Sequence, residues 1–254
     1  MTAKLDKDPK RFNIQHRQIP ALAGVSLYQH PKTQLLFVLQ GVLAVITLSG
    51  RYIVPAGHGI LIPANVKHEL IAKTDAELVG LYFSQTAIEQ WLNEPRVLQG
   101  SKFFNAMMLE SLNLPQPEQM LARHCTLVEL IEYYLEQLPV RDTYLPYPQH
   151  EKLMVIVERI LKHPALKSDL VSWGKFVNLS ARTLTRRFKQ ETGLTYSQWR
   201  KRLNVQVAIK HLAQGDDIAN IASLLGYDSS SAFIFMFRQQ VGLSPKQFLK
   251  SLSL

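Results

Sequence analysis

The chain's 254 residues, 46% of them hydrophobic, suffice for two modest domains with separate cores, a composition that excludes an intrinsically disordered chain. No apolar run approaches the ~20 residues that span a bilayer. The polar start Met1–Lys10 lacks the apolar core of an export signal, and the single Cys125 excludes an internal disulfide, so a cytoplasmic protein with no membrane partner is expected. The net charge of +9 is confined: residues 1–148 hold 13 basic and 13 acidic side chains, residues 149–254 hold 16 and 7. Charge gathered in one segment points to a polyanion met there, with an innocuous basic surface as the alternative.

Residues 1–20 are polar and charged and read as a mobile arm or as disordered chain. Residues 22–84 read as short strands: Leu35–Leu39, Val42–Leu48, Arg51–Val54, Gly59–Ile62 and Leu78–Phe83. Gly41, Ser49-Gly50, Pro55-Ala-Gly57 and Pro63 punctuate them. Val42, Ala44, Ile46 and Leu48 share one strand face, yet Leu43 and Val45 are apolar too, so both faces are covered, as in a barrel or sandwich. His58, in the Pro55–Gly59 turn, is expected to be exposed.

From Thr86 the period becomes helical, with helices over residues 101–112 and 117–138. Leu121, Val128, Ile131, Leu135 and Leu138 form a stripe on the second, suited either to pairing two copies or to covering the barrel's outer face. Pro139, Pro146 and Pro148 then break the chain, and Pro146-Tyr-Pro148 is a stiff extended piece. The expected division is a domain over 1–138, a linker over 139–149 and a helical domain over 150–254.

The helical segment repeats itself. Phe188-Lys-Gln190 matches Phe237-Arg-Gln239, Gly193-Leu-Thr195 matches Gly242-Leu-Ser244, and Gln198-Trp199 matches Gln247-Phe248, all at an offset of 49. Upstream the offset is 48: Leu170 with Ile218, Trp173 with Ile221, Gly174 with Ala222, Val177 with Leu225. One residue is therefore added where a turn absorbs it. Each copy reads as a helix-turn-helix: a short helix with one small residue for close approach, a turn, and a second helix capped by Ser180, or by Asp228 or Ser229. Leu184 and Phe188, or Phe233 and Phe237, bury one face of the second helix and leave the other free for a major groove. Residues 197–214 form one connecting helix carrying Trp199, Leu203, Val207 and Leu212.

The string Ile221-Ala-x-x-Leu225-Gly-Tyr-Asp-Ser-x-Ser231-x-Phe233-x-x-x-Phe237-Arg-x-x-x-Gly242-Leu-Ser-Pro245 closely resembles the signature of AraC/XylS-type transcriptional regulators. Leu184-x-x-x-Phe188-Lys-x-Glu191-Thr-Gly193 resembles the end of the same family's first reading helix, and the likeness covers roughly residues 150–250. It implies double-stranded DNA as partner, RNA polymerase if the protein activates, and a homodimer. The family's reading positions fall on Ala181, Arg182, Thr185 and Arg186, with Arg186 the best candidate for a bidentate guanine contact. Arg187 and Lys189 are phosphate contacts or solvated surface. In the second copy the positions are Ser230, Ser231, Ala232, Ile234 and Phe235. Many members carry Arg where this chain has Phe235, so the second copy reads thymine methyls or mainly touches backbone through Ser229, Ser230 and Ser231. Readout is expected to lean on the first copy. Asn204 replaces a usual Arg and puts one bracing contact in doubt.

The strand-rich half resembles the cupin-like domain of these regulators, through His30, Gln34 and Gly41 and then Pro55-Ala-Gly57 to Ile62-Pro63 and His68. The implied fold is α+β: a cupin-like barrel with flanking helices, then an all-α tandem helix-turn-helix domain. Metal-binding cupins carry His where this chain has Tyr28 and Ile60, and Glu where it has Gln34, so neither a metal nor another cofactor is expected. Tyr28, His30, Gln34 and His68, with Tyr82 weaker, are candidates to hold a small-molecule effector. Alternatively, His30 and Gln34 are satisfied core or rim residues. A cupin enzyme and an architectural DNA binder without effector are the rival readings; the first needs a metal shell that is largely missing.

Overall fold

The computed structural model describes residues 12–83, 92–114, 122–141, 143–166 and 168–252. Residues 1–11, read as arm or disordered chain, the helical onset at Thr86 and the stripe residue Leu121 lie outside the described residues. The chain forms two compact units: one holds the residues up to Val45 and Val54–Asp142, the other Ile46–Ile53 and Thr143–Ser251. No described helix is long and apolar enough to cross a membrane.

The strands run β1 (Phe12–Ile19), β2 (Gly24–Tyr28), β3 (Thr33–Gln40), β4 (Val42–Thr47), β5 (Gly50–Pro55), β6 (His58–Ile62), β7 (His68–Ala72), β8 (Ala76–Phe83), β9 (Arg96–Gln99), β10 (Val140–Arg141) and β11 (Leu145–Pro146). They form two sheets, ordered β1-β8-β3-β6-β9-β10 and β11-β5-β4-β7-β2. On β3 the odd positions Leu35, Phe37 and Leu39 face helices α1 (Lys102–Glu110) and α2 (Ala122–Leu135), packing with Phe104, Met107, Met108, Val128, Ile131 and Leu135. The even positions Gln34, Leu36 and Val38 are buried on the other face. Both faces of this strand are covered, as its unbroken apolar run implies. The α2 stripe therefore serves the first unit's own core.

Four expectations need correction. Phe12–Ile19, expected within an arm or disordered chain, is an edge strand whose backbone pairs with β8, from Phe12 opposite Phe83 to Ile19 opposite Ala76. Its Ile14 packs against the core, while Asn13, Gln15, His16, Arg17 and Gln18 give the strand a polar sequence. The segment after Thr86 is not all helical, because Arg96–Gln99 pairs with β6. His58 is 7% exposed rather than solvated, because it stands on β6, paired with Val38 of β3 on one side and Gln99 of β9 on the other, and its Nδ1 donates to the Ala56 carbonyl at 3.1 Å. The stretch 139–149, read as a linker, is hydrogen-bonded: Val140 and Arg141 pair with β9, and Leu145 and Pro146 with β5.

The second unit holds α3 (Glu151–Lys162), α4 (Leu170–Val177), α5 (Ala181–Thr192), α6 (Tyr196–Ala213), α7 (Ile218–Leu224), α8 (Ser230–Val241) and α9 (Pro245–Leu252). Leu145, Leu153, Ile156, Trp173, Leu184, Phe188, Trp199 and Leu203 are among the buried residues of one core. Caps define the helix ends. Asp169, Ser180, Thr195, Asp217 and Ser229 each accept a backbone N–H at a helix start. Gly193 and Gly242 close α5 and α8 at φ 71° and 83°, a left-handed turn that glycine adopts without strain.

Candidate functional site

Two helix-turn-helix units stand in the second unit, α4–α5 and α7–α8, with α6 between them. At Gly174 an added Cβ would lie 2.4 Å from the Leu179 carbonyl oxygen. The small residue is therefore needed for the turn itself more than for the approaching helix. The turn leads to Ser180, whose hydroxyl accepts from Thr183 N at 3.1 Å and starts α5.

Helix α5 buries Leu184, Phe188 and Thr192 and turns Arg182, Thr185, Arg186, Lys189 and Gln190 to solvent; Ala181 and Arg187 are half-buried. Arg182 and Arg186 lie one turn apart on the open face, where their like charges repel unless an anion sits between them. Arg186 Nη1 donates to Gln190 Oε1 at 3.3 Å, which steadies the guanidinium. Thr185 Oγ1 donates to the Ala181 carbonyl at 2.9 Å, and Lys189 Nζ to the Gly193 carbonyl at 2.7 Å. Lys189 is thus partly engaged in closing its own helix.

Helix α8 buries Phe233, Met236 and Phe237. Ser229, Ser231, Ala232, Phe235 and Arg238 are exposed, and Ser230 and Ile234 are half-buried. Ser229 Oγ accepts from Ala232 N at 3.2 Å, which makes Ser229, not Asp228, the cap.

Polar anchors tie α6 to its neighbours within the second unit. Trp199 Nε1 donates to the Pro146 carbonyl at 2.8 Å, and Trp173 Nε1 to Tyr196 Oη at 2.8 Å. Arg200 Nη2 donates to the carbonyls of Pro164 and Leu166 at 2.6 and 3.1 Å, and burial lowers its pKa. Asn204, where a bracing contact stood in doubt, makes one: its Nδ2 donates to Tyr227 Oη at 3.0 Å.

In the first unit, strand pairing gathers the five effector candidates. Tyr28 lies opposite His68 on β2 and β7, and Gln34 opposite Tyr82 on β3 and β8. Ring centroids are 4.3 Å apart for Tyr28–His68, 5.1 Å for His30–His68 and 5.3 Å for His30–Tyr82. His30 Nδ1 donates to the Lys32 carbonyl at 2.5 Å, and its Nε2 lies 2.9 Å from Gln34 Oε1. His68 Nδ1 donates to the Val66 carbonyl at 2.8 Å, and burial holds its pKa down, so the ring is neutral with a bare lone pair on Nε2. That Nε2 and Tyr28 Oη are buried with no partner of hydrogen-bonding geometry. Burial, with Tyr82 nearby, pushes the Tyr28 phenol up to about 12, so it stays protonated. Among the described residues, no three His, Cys, Asp or Glu side chains converge.

Known proteins match both halves. The model of the AraC-like ligand binding domain matches residues 22–143, and that of a helix-turn-helix domain matches residues 173–251. The HTH-type transcriptional regulator NimR of Escherichia coli strain K12 is 30% identical over 227 residues, 89% of this chain and 83% of that protein. The chain belongs to the AraC family of transcriptional regulators. The HTH-type transcriptional activator RhaS of Pectobacterium carotovorum is 37% identical over 83 residues, 31% of this chain and 30% of that protein. A solved structure of ToxT from Vibrio cholerae aligns with 96% of this chain and all of that one, at 12% identity and a TM-score of 0.41.

The relatives of this AraC-family regulator are named as regulators, which sets the enzyme reading aside. The structure gathers Ala181, Arg182, Thr185, Arg186, Arg187 and Lys189 on one helix, and Ser229, Ser230, Ser231, Ile234 and Phe235 on or next to another. Tyr28, His30, Gln34, His68 and Tyr82 form one cluster. Sequence reasoning missed Gln190, although its i+4 spacing from Arg186 was readable. It also missed Arg17, whose charge acts on Tyr28 and Tyr82, because the strand carrying it was not recognised. The Asn204–Tyr227 pair spans 23 residues and left no local signal.

Proposed function

We propose that this AraC-family regulator binds double-stranded DNA with sequence readout led by α5, and that a small molecule held in its strand-rich half modulates that binding. The division of labour is effector sensing over residues 1–138 and DNA binding over 150–254, with the strand-paired stretch 139–149 between them in the chain. The observation that carries the reading is the pair Arg182 and Arg186, exposed on a helix whose opposite face is fixed by buried Leu184 and Phe188. Arg186 offers two parallel donors to guanine O6 and N7, and Arg187 and Lys189 reach phosphates. Ala181 and Thr185 flank the reading face, and Ser229, Ser230, Ser231, Ile234 and Phe235 supply the second contact. The two helices enter successive major grooves ~34 Å apart.

Tyr28, His30, Gln34, His68 and Tyr82 hold the effector. The effector brings a hydrogen-bond donor to the bare His68 Nε2, which is buried without a partner, and an acceptor to the Tyr28 hydroxyl, whose polar neighbour, the Gln34 side chain, lacks full hydrogen-bonding geometry. Because effector and DNA act on one equilibrium, DNA alters effector affinity by the same factor as effector alters DNA affinity. A cytoplasmic location, pairing of two copies, and contact with RNA polymerase if the protein activates belong to the same reading.

The test is selection of DNA from a random duplex pool by the full chain and by Arg186→Ala. The variant is expected to lose about 1–3 kcal/mol on the selected site and to relax one base position. An unchanged site and affinity would refute the assignment.

A further inference from the structure

The two reading helices are superimposable in sequence position yet chemically unlike. Their caps Ser180 and Ser229, their buried pairs Leu184 and Phe233 or Phe188 and Phe237, and their closing glycines Gly193 and Gly242 all stand 49 residues apart. By the same offset Phe235 occupies the place of Arg186, Ile234 that of Thr185, and Ser231 that of Arg182. Phe235 is 70% exposed, on the face opposite buried Phe233 and Phe237. One turn before it stand the small residues Ser231 and Ala232, which leave room for the ring to reach a base edge. Helix α5 carries four basic side chains, Arg182, Arg186, Arg187 and Lys189, whereas α8 carries only Arg238. Phosphate attraction alone therefore holds α8 weakly.

We infer that Phe235 is the specificity residue of the second unit, and that it recognises the 5-methyl group of a thymine in the major groove. The thymine methyl is the one apolar feature a base pair shows there, and an aromatic ring is among its partners. Backbone contact through the Ser229–Ser231 hydroxyls positions the helix but carries no sequence information, so it does not replace Phe235 as the reading group. The operator thus has two unlike halves: a guanine read by Arg186 and, about one helical turn away, a thymine read by Phe235.

This inference rests on the DNA-binding reading above, and the test separates the two. The full chain selects its site from a random duplex pool, and each thymine of that site is then replaced in turn by uracil. Uracil keeps every hydrogen-bonding group and lacks only the methyl. At one thymine in the half-site away from the Arg186-dependent guanine, uracil should weaken binding about fourfold, the worth of one buried methyl group. Phe235→Ala should weaken binding to the thymine duplex by a similar factor and no longer distinguish thymine from uracil, while Phe235→Leu retains the distinction. Since the ring lies outside the core, neither variant should shift the thermal midpoint. Overturning results are a site with no methyl-sensitive thymine, or a Phe235→Ala protein that keeps the full uracil penalty. If the chain selects no sequence at all, both readings fall. If the Arg186-dependent guanine is found without a methyl-sensitive thymine, only this one does.

Discussion

Arg51 Nε donates to Gln206 Oε1 at 2.8 Å, joining two residues 155 positions apart within the second unit. Gln206 Nε2 in turn donates to the carbonyls of Arg51 and Thr143 at 3.3 and 2.6 Å. Around this pair, Tyr144 Oη donates to the Ser49 carbonyl at 2.6 Å, and Tyr52 stacks on Tyr144 with ring centroids 4.6 Å apart. The segment 46–53 and the stretch from Thr143 are thus tied to the middle of α6. Burial lowers the pKa of Arg51, so the guanidinium depends on its partners. Arg51→Ala leaves the Gln206 side-chain oxygen unpaired. It should lower unfolding stability by about 1–3 kcal/mol, with the double variant Arg51→Ala/Gln206→Ala costing less than the sum of the singles. Urea titration checks this, and strictly additive losses would show that the two side chains act independently.

Gly174→Ala should be harsher than an ordinary Gly-to-Ala change within a helix. The new Cβ would stand 2.4 Å from the Leu179 carbonyl, and that atom belongs to the turn leading into α5. Backbone must move, at a cost of about 1–3 kcal/mol. The same movement displaces Arg182 and Arg186. The expected outcome is a lower thermal midpoint together with weaker specific DNA binding. Gly215→Ala is the contrasting variant: nothing lies within 4 Å of its added Cβ, so the only burden is the glycine's positive φ of 84°. Equal losses of DNA binding in the two would remove the turn from the explanation.

Tyr227→Phe removes the acceptor of the Asn204 amide. Asn204 is 7% exposed, and its Oδ1 is already buried without a partner. The variant therefore leaves both ends of that amide unpaired, at about 1–3 kcal/mol. Asn204→Leu in the same background should restore part of the loss, since replacing both polar partners by apolar groups is far milder than orphaning one. A thermal melt series of the wild type and the two variants decides it; a double variant no better than Tyr227→Phe would argue that the pair is not what braces α7–α8 on α6.

What was legible in the sequence follows from how local each signal is. The repeat fixed the second unit because caps, closing glycines and buried pairs lie within one helix length of each other, as Ser180, Leu184, Phe188 and Gly193 do. The same local signals placed the buried and the exposed face of α5. Strand β1 was missed because its stretch Asn13–Gln18 is mostly polar, and its pairing with β8 reaches across more than fifty residues. The cluster of Tyr28, His30, Gln34, His68 and Tyr82 could be suspected through resemblance, but the bare Nε2 of His68 depends on a carbonyl two residues away pointing at Nδ1. Nor did sequence show that the turn after Pro55 ends before His58, which opens β6 between two neighbouring strands, and His58 was misjudged for that reason.

His58 makes that misjudgement measurable. Burial pushes its pKa down from the ordinary 6.5 to about 4, with the charge of Arg141 acting in the same direction and the hydrogen bond to Ala56 opposing. Above about pH 6.5 the ring is neutral in both the folded and the unfolded chain, and it contributes nothing to pH dependence. As the pH falls through 6.5 the unfolded chain takes up a proton that the folded chain refuses until about pH 4. Stability is therefore full above the unfolded pKa and is lost progressively across this window, by up to about 3 kcal/mol. His58→Asn removes the titrating group and should flatten that part of the profile, whatever it does to stability at neutral pH. The measurement is the unfolding free energy of both proteins from about pH 7.5 to about pH 4.5. The difference between wild type and variant must shrink in favour of the variant as the pH drops. If the two profiles run parallel, the acid sensitivity belongs to another group and the His58 ring is not held neutral by its burial.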